Sequence, residues 1–187
     1  MRLSWLRSGR GVASPPGQRP EQPRTYLLAC LLVTAAAALV TPWQLTDPDA
    51  LSHLAIGRTI AHMGSVPDTD PLTFSAPGAR WSNPEWLGDL LLYLVHRAGG
   101  QPALLTFKLA LICGGWLLVL HLALRMGATP LLAAALLLMM LPPCVARFTL
   151  RNHIHAYWLV PLYGLILHRA RDPGALRSLW ALLPLGV

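Results

Sequence analysis

Apolar residues in this chain come in long runs that short polar segments separate. The first run, 26–45, meets the need for about 20 apolar residues in a helix that crosses a bilayer. Later runs cover 101–125, 129–147 and 152–169, and a further run begins at 178 and continues to the last residue, 187. The pattern predicts an all-α, polytopic transmembrane helix bundle of about four to five membrane helices. The fifth of these is truncated, so we expect the chain to be the front part of a longer protein.

The first 25 residues are rich in arginine, proline, glycine and serine, which predicts a disordered basic cytoplasmic tail over 1–25. A second interpretation of run 26–45 is a cleaved signal peptide, because it is alanine-rich and follows a basic segment. A 25-residue leader is long for that purpose, and no clean small-x-small cleavage site precedes Asp47. A membrane helix is therefore the favoured prediction.

Segment 46–100 differs from the runs around it, since it holds six of the eight acidic residues. Two helices are predicted here, and each opens with an Asp-Pro or Asn-Pro pair and closes at glycine. The first runs from Asp47-Pro48 to Gly64, and the second from Asn83-Pro84 to Gly99-Gly100. The second helix is apolar but too short to span, so both are expected to lie at the membrane interface.

Composition supports the membrane prediction, because 54% of the residues are hydrophobic and only 12% are charged, against about a quarter in soluble domains. The net charge of +7 does not form one patch, which argues against nucleic acid as a partner. With the N-terminus inside, nine arginines fall on the cytoplasmic side and five on the outer side. The positive-inside rule then makes segment 46–100 an extracytoplasmic loop.

The acidic pair that follows the first run has two interpretations. Asp47 and Asp49 flank Pro48 at a helix start, where carboxylates commonly cap the helix, and His53 lies one turn beyond Asp49. Alternatively, a carboxylate beside the lipid headgroups can reach a substrate whose tail is in the bilayer. Burial there would raise its pKa and make it a better proton acceptor, provided that a cation or histidine limits the shift.

Three separated motifs in this region resemble the first extracytoplasmic loop of the C-type glycosyltransferase superfamily. They are Asp47-Pro48-Asp49 with His53, then Thr69-Asp70-Pro71-Leu72-Thr73-Phe74, then Trp81 with Glu85-Trp86-Leu87. The stretch that begins at Arg151 resembles the Arg-Pro-x-x-Phe-Ser opening of a later helix, with Asn152 in place of the proline. More narrowly, the chain resembles bacterial relatives of the polyprenyl-phosphate-mannose protein mannosyltransferases, over about the front third of a usual member.

The resemblance implies an integral protein of a bacterial inner (plasma) membrane that transfers a sugar from a polyprenyl-phosphate donor. The acceptor would be a lipid or protein hydroxyl on the outer face, and membrane lipids would be its other partners. The implied catalytic residues are Asp49, then Asp47, with Glu85 as a further carboxylate. The implied substrate-binding residues are His53, Arg58 and Arg151, the arginines because guanidinium suits phosphate geometry.

Two other functions remain open at this point, a non-catalytic polytopic protein and a transporter or channel. Lys108 lies within a predicted span, where it would either snorkel or face the bundle interior, but the runs show no inverted repeat. The three cysteines lie in apolar runs and form neither a zinc motif nor a disulfide framework. No cofactor is indicated; a divalent metal is left open, with His153 and His155 as a weak His-x-His motif.

Overall fold

The structure is a computed structural model that describes residues 23–42, 47–75, 78–171 and 173–182. Its regular elements in these ranges are all helical, which confirms the predicted helical class. Five α-helices are present: α1 Pro23–Val40, α2 Asp49–Met63, α3 Trp86–Arg125, α4 Pro130–Val145 and α5 Ala156–Arg169. Two 3-10 helices cover Asn152–His155 and Pro173–Leu182, and one isolated antiparallel bridge joins Thr69 to Arg80.

Two of the described helices, α1 and α3, are long and apolar enough to cross a membrane. The α4 helix is shorter, at 16 residues, and α5 has 14. Pro142 and Pro143 lie inside α4, which ends two residues later, as the prolines predict. The predicted fifth run begins in the 3-10 helix Pro173–Leu182, and residues 183–187 lie outside the described part of the chain.

The second predicted interfacial helix and the second predicted span are joined in α3, which has 40 residues. At 1.5 Å per residue this is about 60 Å, roughly twice the hydrocarbon thickness. The helix is kinked where the sequence predicts a stop, because Gly99 and Gly100 leave the helical conformation and Gly100 has φ +63°. A side chain at Gly100 would be strained at this φ. The first part of α3 can therefore follow a different direction from 101–125.

The first predicted interfacial helix also ends as expected. Gly64 adopts a left-handed conformation with φ +69°, and its N–H donates to the carbonyl of Ile60. The observed start of the helix lies at Asp49 rather than at Pro48. Asp47 nevertheless stabilises this helix start, since its Oδ1 accepts a hydrogen bond from the N–H of Asp49 at 3.0 Å.

The core of the described bundle lies where α1, α3 and α4 pack together, with α5 against α3. The loop between α4 and α5 adds Phe148 and Leu150 to this core, both almost fully buried. The outward faces of α1 and α4 carry exposed leucine and methionine side chains. These include Leu31, Leu39, Leu136 and Met139. Large exposed apolar surface of this kind marks a contact with lipid or another apolar partner.

Lys108 faces the bundle interior, which decides between the two positions that the sequence left open. Its side chain is buried, and Nζ donates a hydrogen bond to the carbonyl of Pro42, beyond the end of α1. The ammonium thus joins the middle of α3 to the residue that follows α1 toward segment 46–100.

Candidate functional site

The candidate site is formed where α2 packs against the first part of α3. Gly57 makes this close approach, because a Cβ at this position would lie 2.8 Å from the Cβ of Tyr93 and nearer still to the Asp89 carbonyl. The contact places His53 on α2 opposite Asp89 on α3.

His53 and Asp89 form the innermost pair of the site. Nδ1 of His53 donates to Oδ1 of Asp89 at 2.7 Å, and Nδ2 of Asn83 donates to Oδ2 of the same carboxylate at 2.6 Å. The Asp89 side chain is only 1% exposed. The hydrogen bond from the imidazole to Asp89, together with nearby negative charge, raises the pKa of His53 against the opposing effect of burial.

Arg151 joins the acidic pair to a distant part of the chain. It lies just before the 3-10 helix Asn152–His155, where its Nε donates to Oδ2 of Asp47 and its Nη2 lies 3.1 Å from Oδ2 of Asp49. The Asp47 side chain is 3% exposed, whereas that of Asp49 is 53% exposed. One guanidinium therefore bridges a buried and an accessible carboxylate.

The expected rise in carboxylate pKa is wrong for Asp47. The hydrogen bond from Arg151 lowers the pKa of Asp47, helped by the backbone N–H of Asp49, and outweighs the effect of burial. The hydrogen bond to Asp47, together with the negative charges of Asp47 and Asp49, raises the pKa of Arg151. Asp47 is therefore held as a carboxylate, and its proton affinity falls rather than rises.

A polar cavity of about 360 Å³ opens between these groups. Its charged and titratable lining consists of Asp49, His53, Glu85, Asp89, Arg151 and His153. Asp49 and His53 come from α2, and Asp89 comes from α3. Glu85 is the residue just before α3, and Arg151 and His153 come from the segment before α5. Three predicted site residues on separate motifs, Asp49, Glu85 and Arg151, lie around one cavity.

An apolar cavity of about 490 Å³ adjoins the polar one and shares Glu85 and His153 with it. Its apolar lining includes Leu87, Leu91, Leu111 and Trp158. Trp158 is fixed by donating its indole N–H to the carbonyl of Leu111 at 2.7 Å. Polar and apolar binding space therefore meet at the Glu85 and His153 side chains.

Arg58 is not brought to the polar cavity. It lies on another face of α2, in a separate crevice with His62 and Arg97. Asp47 is close to the cavity through Arg151 but does not line it. The other predicted site residues, Asp49, His53, Glu85 and Arg151, do.

Asp89 and Asn83 are site residues that sequence reasoning missed, and His153 was considered only as half of a weak metal-binding motif. Asp89 interrupts an otherwise apolar helix, and a buried carboxylate in such surroundings needs a partner. This pattern is the sequence signal that points to Asp89. Asn83 was predicted only as a helix cap, and its Oδ1 does accept the N–H of Glu85 at 2.9 Å while its Nδ2 holds Asp89.

His153 and His155 do not act as a pair on this cavity. His153 lines both cavities, and its Nε2 lies 3.1 Å from the carbonyl oxygen of Arg147, whereas His155 lines only the apolar one. Within the described ranges, no group of three or more His, Cys, Asp or Glu side chains is placed to hold a metal ion.

Comparison of the chain with protein-family models, with characterised proteins and with solved structures finds no match.

Proposed function

We propose that this chain is an integral membrane glycosyltransferase, or the N-terminal part of one. It transfers a sugar from a polyprenyl-phosphate donor to an acceptor hydroxyl of a lipid or protein on the outer face. In this proposal α1 and the second part of α3 span a bacterial inner membrane, with the N-terminus in the cytoplasm. Segment 46–100 then lies outside, and the polar cavity lies beside the headgroups.

The observation that carries the proposal is the junction of the polar and apolar cavities at Glu85 and His153. A polyprenyl-phosphate sugar has the same division, with a charged, hydroxyl-rich head on an apolar chain. Both cavities have the size of small-molecule sites. The head would lie among Asp49, His53 and Arg151, and the first isoprene units along Leu87 and Trp158.

Asp49 is the proposed base because it is the accessible carboxylate of the acidic pair. It takes the proton of the acceptor hydroxyl as the hydroxyl oxygen bonds to the anomeric carbon of the sugar. The bond from that carbon to the phosphate oxygen breaks, and the polyprenyl phosphate leaves with the electron pair. Attack from the side opposite the leaving group inverts the configuration.

Arg151 and His53 are placed to offset the charge of the leaving phosphate. A guanidinium offers a fork of N–H donors that fits phosphate oxygens, and Asp89 favours the imidazolium form of His53. Asp47 has a positioning role in this scheme, because it is buried and holds Arg151 from behind. Glu85, at the junction, is close enough to both cavities to orient the acceptor.

Sugar transfer in membranes tests the proposal. Membranes from cells that express the full open reading frame would be supplied with a panel of radiolabelled polyprenyl-phosphate sugars, and label in lipid and protein fractions would be counted. Asp49→Asn should reduce transfer at least about 100-fold, the usual contribution of general base catalysis. Asp68→Asn, an exposed carboxylate outside the cavity lining, is the matched control and should retain transfer.

Equal transfer by wild type and Asp49→Asn would remove Asp49 from the mechanism. The absence of transfer with every donor would favour the second candidate, a non-catalytic polytopic protein. One observation favours that candidate: the Asp47–Arg151–Asp49 ion cluster also ties α2 to the segment before α5, as a purely structural protein would require.

A further inference from the structure

A basic crevice lies on the α2–α3 pair, away from the polar cavity. It has a volume of about 420 Å³, and Arg58 and His62 from α2 face Arg97 and His96 from α3 across it, with Tyr93 in the wall. It shares no lining residue with the polar cavity.

The four basic side chains of the crevice face no carboxylate in its lining. No Asp or Glu lines the crevice, and within the described part of the chain no hydrogen bond or ion pair engages the side chains of Arg58, His62, His96 or Arg97. The neighbouring acids are occupied elsewhere, since Asp47 and Asp49 pair with Arg151 and Asp89 pairs with His53. Two permanently charged guanidinium groups therefore share one crevice and repel each other unless an anion enters.

The crevice also lies close to the point where the apolar part of α3 begins. Arg97 is three residues before Gly100, where α3 is kinked and its apolar part 101–125 begins. Headgroup phosphates lie at the level where a membrane helix leaves the hydrocarbon. An anion reaching this position from the bilayer surface would meet both arginines.

We propose that the basic crevice is a second anion site, which binds a phosphate group between Arg58 and Arg97. Each guanidinium donates charge-assisted N–H hydrogen bonds to phosphate oxygens. The two histidines add donors at the same opening. The phosphate comes either from a lipid headgroup or from inorganic phosphate in solution, since both present the same oxygens. This site is independent of sugar transfer and uses none of the residues proposed for that reaction's polar cavity.

The test uses the full chain purified in neutral detergent. Inorganic phosphate is titrated by calorimetry, and phosphatidylglycerol is titrated in parallel and counted on the protein by native mass spectrometry, with phosphatidylcholine as the reference lipid. Arg58→Gln with Arg97→Gln should weaken binding at least about tenfold, because charged hydrogen bonds are lost. The control pair, Arg80→Gln with Arg171→Gln, removes the same charge from exposed positions outside the crevice and should bind like wild type.

The two arms identify the source of the phosphate. Binding of both probes assigns the site to the phosphate group itself, binding of phosphatidylglycerol alone assigns it to a lipid headgroup, and binding of inorganic phosphate alone assigns it to a soluble anion. If the glutamine pair does not fold, Arg58→Lys with Arg97→Lys takes its place and should still weaken binding, since an ammonium lacks the guanidinium fork.

Three results would overturn the proposal. They are no saturable binding of either probe to wild type, equal weakening in the crevice and control pairs, and unchanged affinity in the folded crevice variant. Because these measurements involve binding alone, they hold whether or not the chain transfers sugar.

Discussion

The acidic residues of segment 46–100 divide by exposure into groups with different roles. Asp47 and Asp89 are buried and each holds a cationic or titratable partner, whereas Asp49 is about half exposed at the cavity. Sequence spacing places Asp49 and His53 on one face of α2. The hydrogen-bond partner observed for His53 is instead Asp89, 36 residues away. Local spacing identifies neighbours within a helix but not across two helices.

Removal of the Asp89 charge should weaken the whole α2–α3 pair. Asp89→Asn retains the shape but loses the charged acceptor of His53 and disturbs the bond from Asn83. We expect a loss of about 1–3 kcal/mol in the free energy of unfolding, the usual effect of a broken buried hydrogen bond. Thermal unfolding in detergent measures it, with Asp68→Asn as the exposed control. Equal melting of the two variants would contradict the buried pair.

The raised pKa of His53 predicts a specific dependence of stability on pH. Because Asp89 raises the folded pKa above the unfolded value of about 6.5, the stabilising contribution is complete below about pH 6.5 and is lost as pH rises through the folded pKa. Wild type should therefore lose stability relative to His53→Gln as pH rises above about 6.5. The contribution of Asp47, whose pKa is lowered, is lost only as pH falls below about 3.9. A difference between the two proteins that stays constant with pH would refute the prediction.

At the scale of elements, the α2–α3 contact determines whether the site exists. Hydrophobic pattern and the Asp-Pro, Asn-Pro and glycine signals predicted both helices and their ends at Gly64 and Gly99-Gly100. They did not predict that these helices pack along one another. That contact depends on the absent side chain at Gly57, which brings Asp89 and Tyr93 against α2.

A side chain at Gly57 should separate the two helices. Gly57→Ala places a Cβ against the Asp89 carbonyl and 2.8 Å from Tyr93 Cβ, and backbone cannot yield as a flexible side chain would. Overpacking of this kind costs about 1–3 kcal/mol, and we expect a lower melting temperature together with lost sugar transfer. Ala61→Val enlarges an exposed position of the same helix and should melt like wild type. Unchanged melting of Gly57→Ala would show that the helices are not in close contact.

At the scale of the whole molecule, the proposed orientation places segment 46–100 on the extracytoplasmic side of the membrane. The native Cys30, Cys113 and Cys144 are first replaced by alanine. A single cysteine is then introduced at Asp68 or at Arg125, and its labelling reports on which side of the membrane it lies. A membrane-impermeant maleimide should label Asp68→Cys on intact cells and Arg125→Cys only after permeabilisation. The reverse pattern would place the polar cavity in the cytoplasm and exclude an outer-face acceptor.

The sequence by itself determined the helical class, the apolar runs and the helix starts and ends in segment 46–100. These depend on local chemistry: apolar length, proline at helix starts and glycine at helix ends. It also identified four residues of the polar cavity, Asp49, His53, Glu85 and Arg151. Charged groups beside apolar runs are few, so each is a candidate for a shared site.

Only the tertiary structure decided which of these groups meet. It joined Arg151 to Asp47 and Asp49 across about a hundred residues, separated Arg58 into its own crevice, and introduced Asp89 beside His53. The physical reason is that electrostatic and hydrogen-bond energies depend on distances between atoms. Those distances follow from how helices pack, which neither composition nor local periodicity encodes.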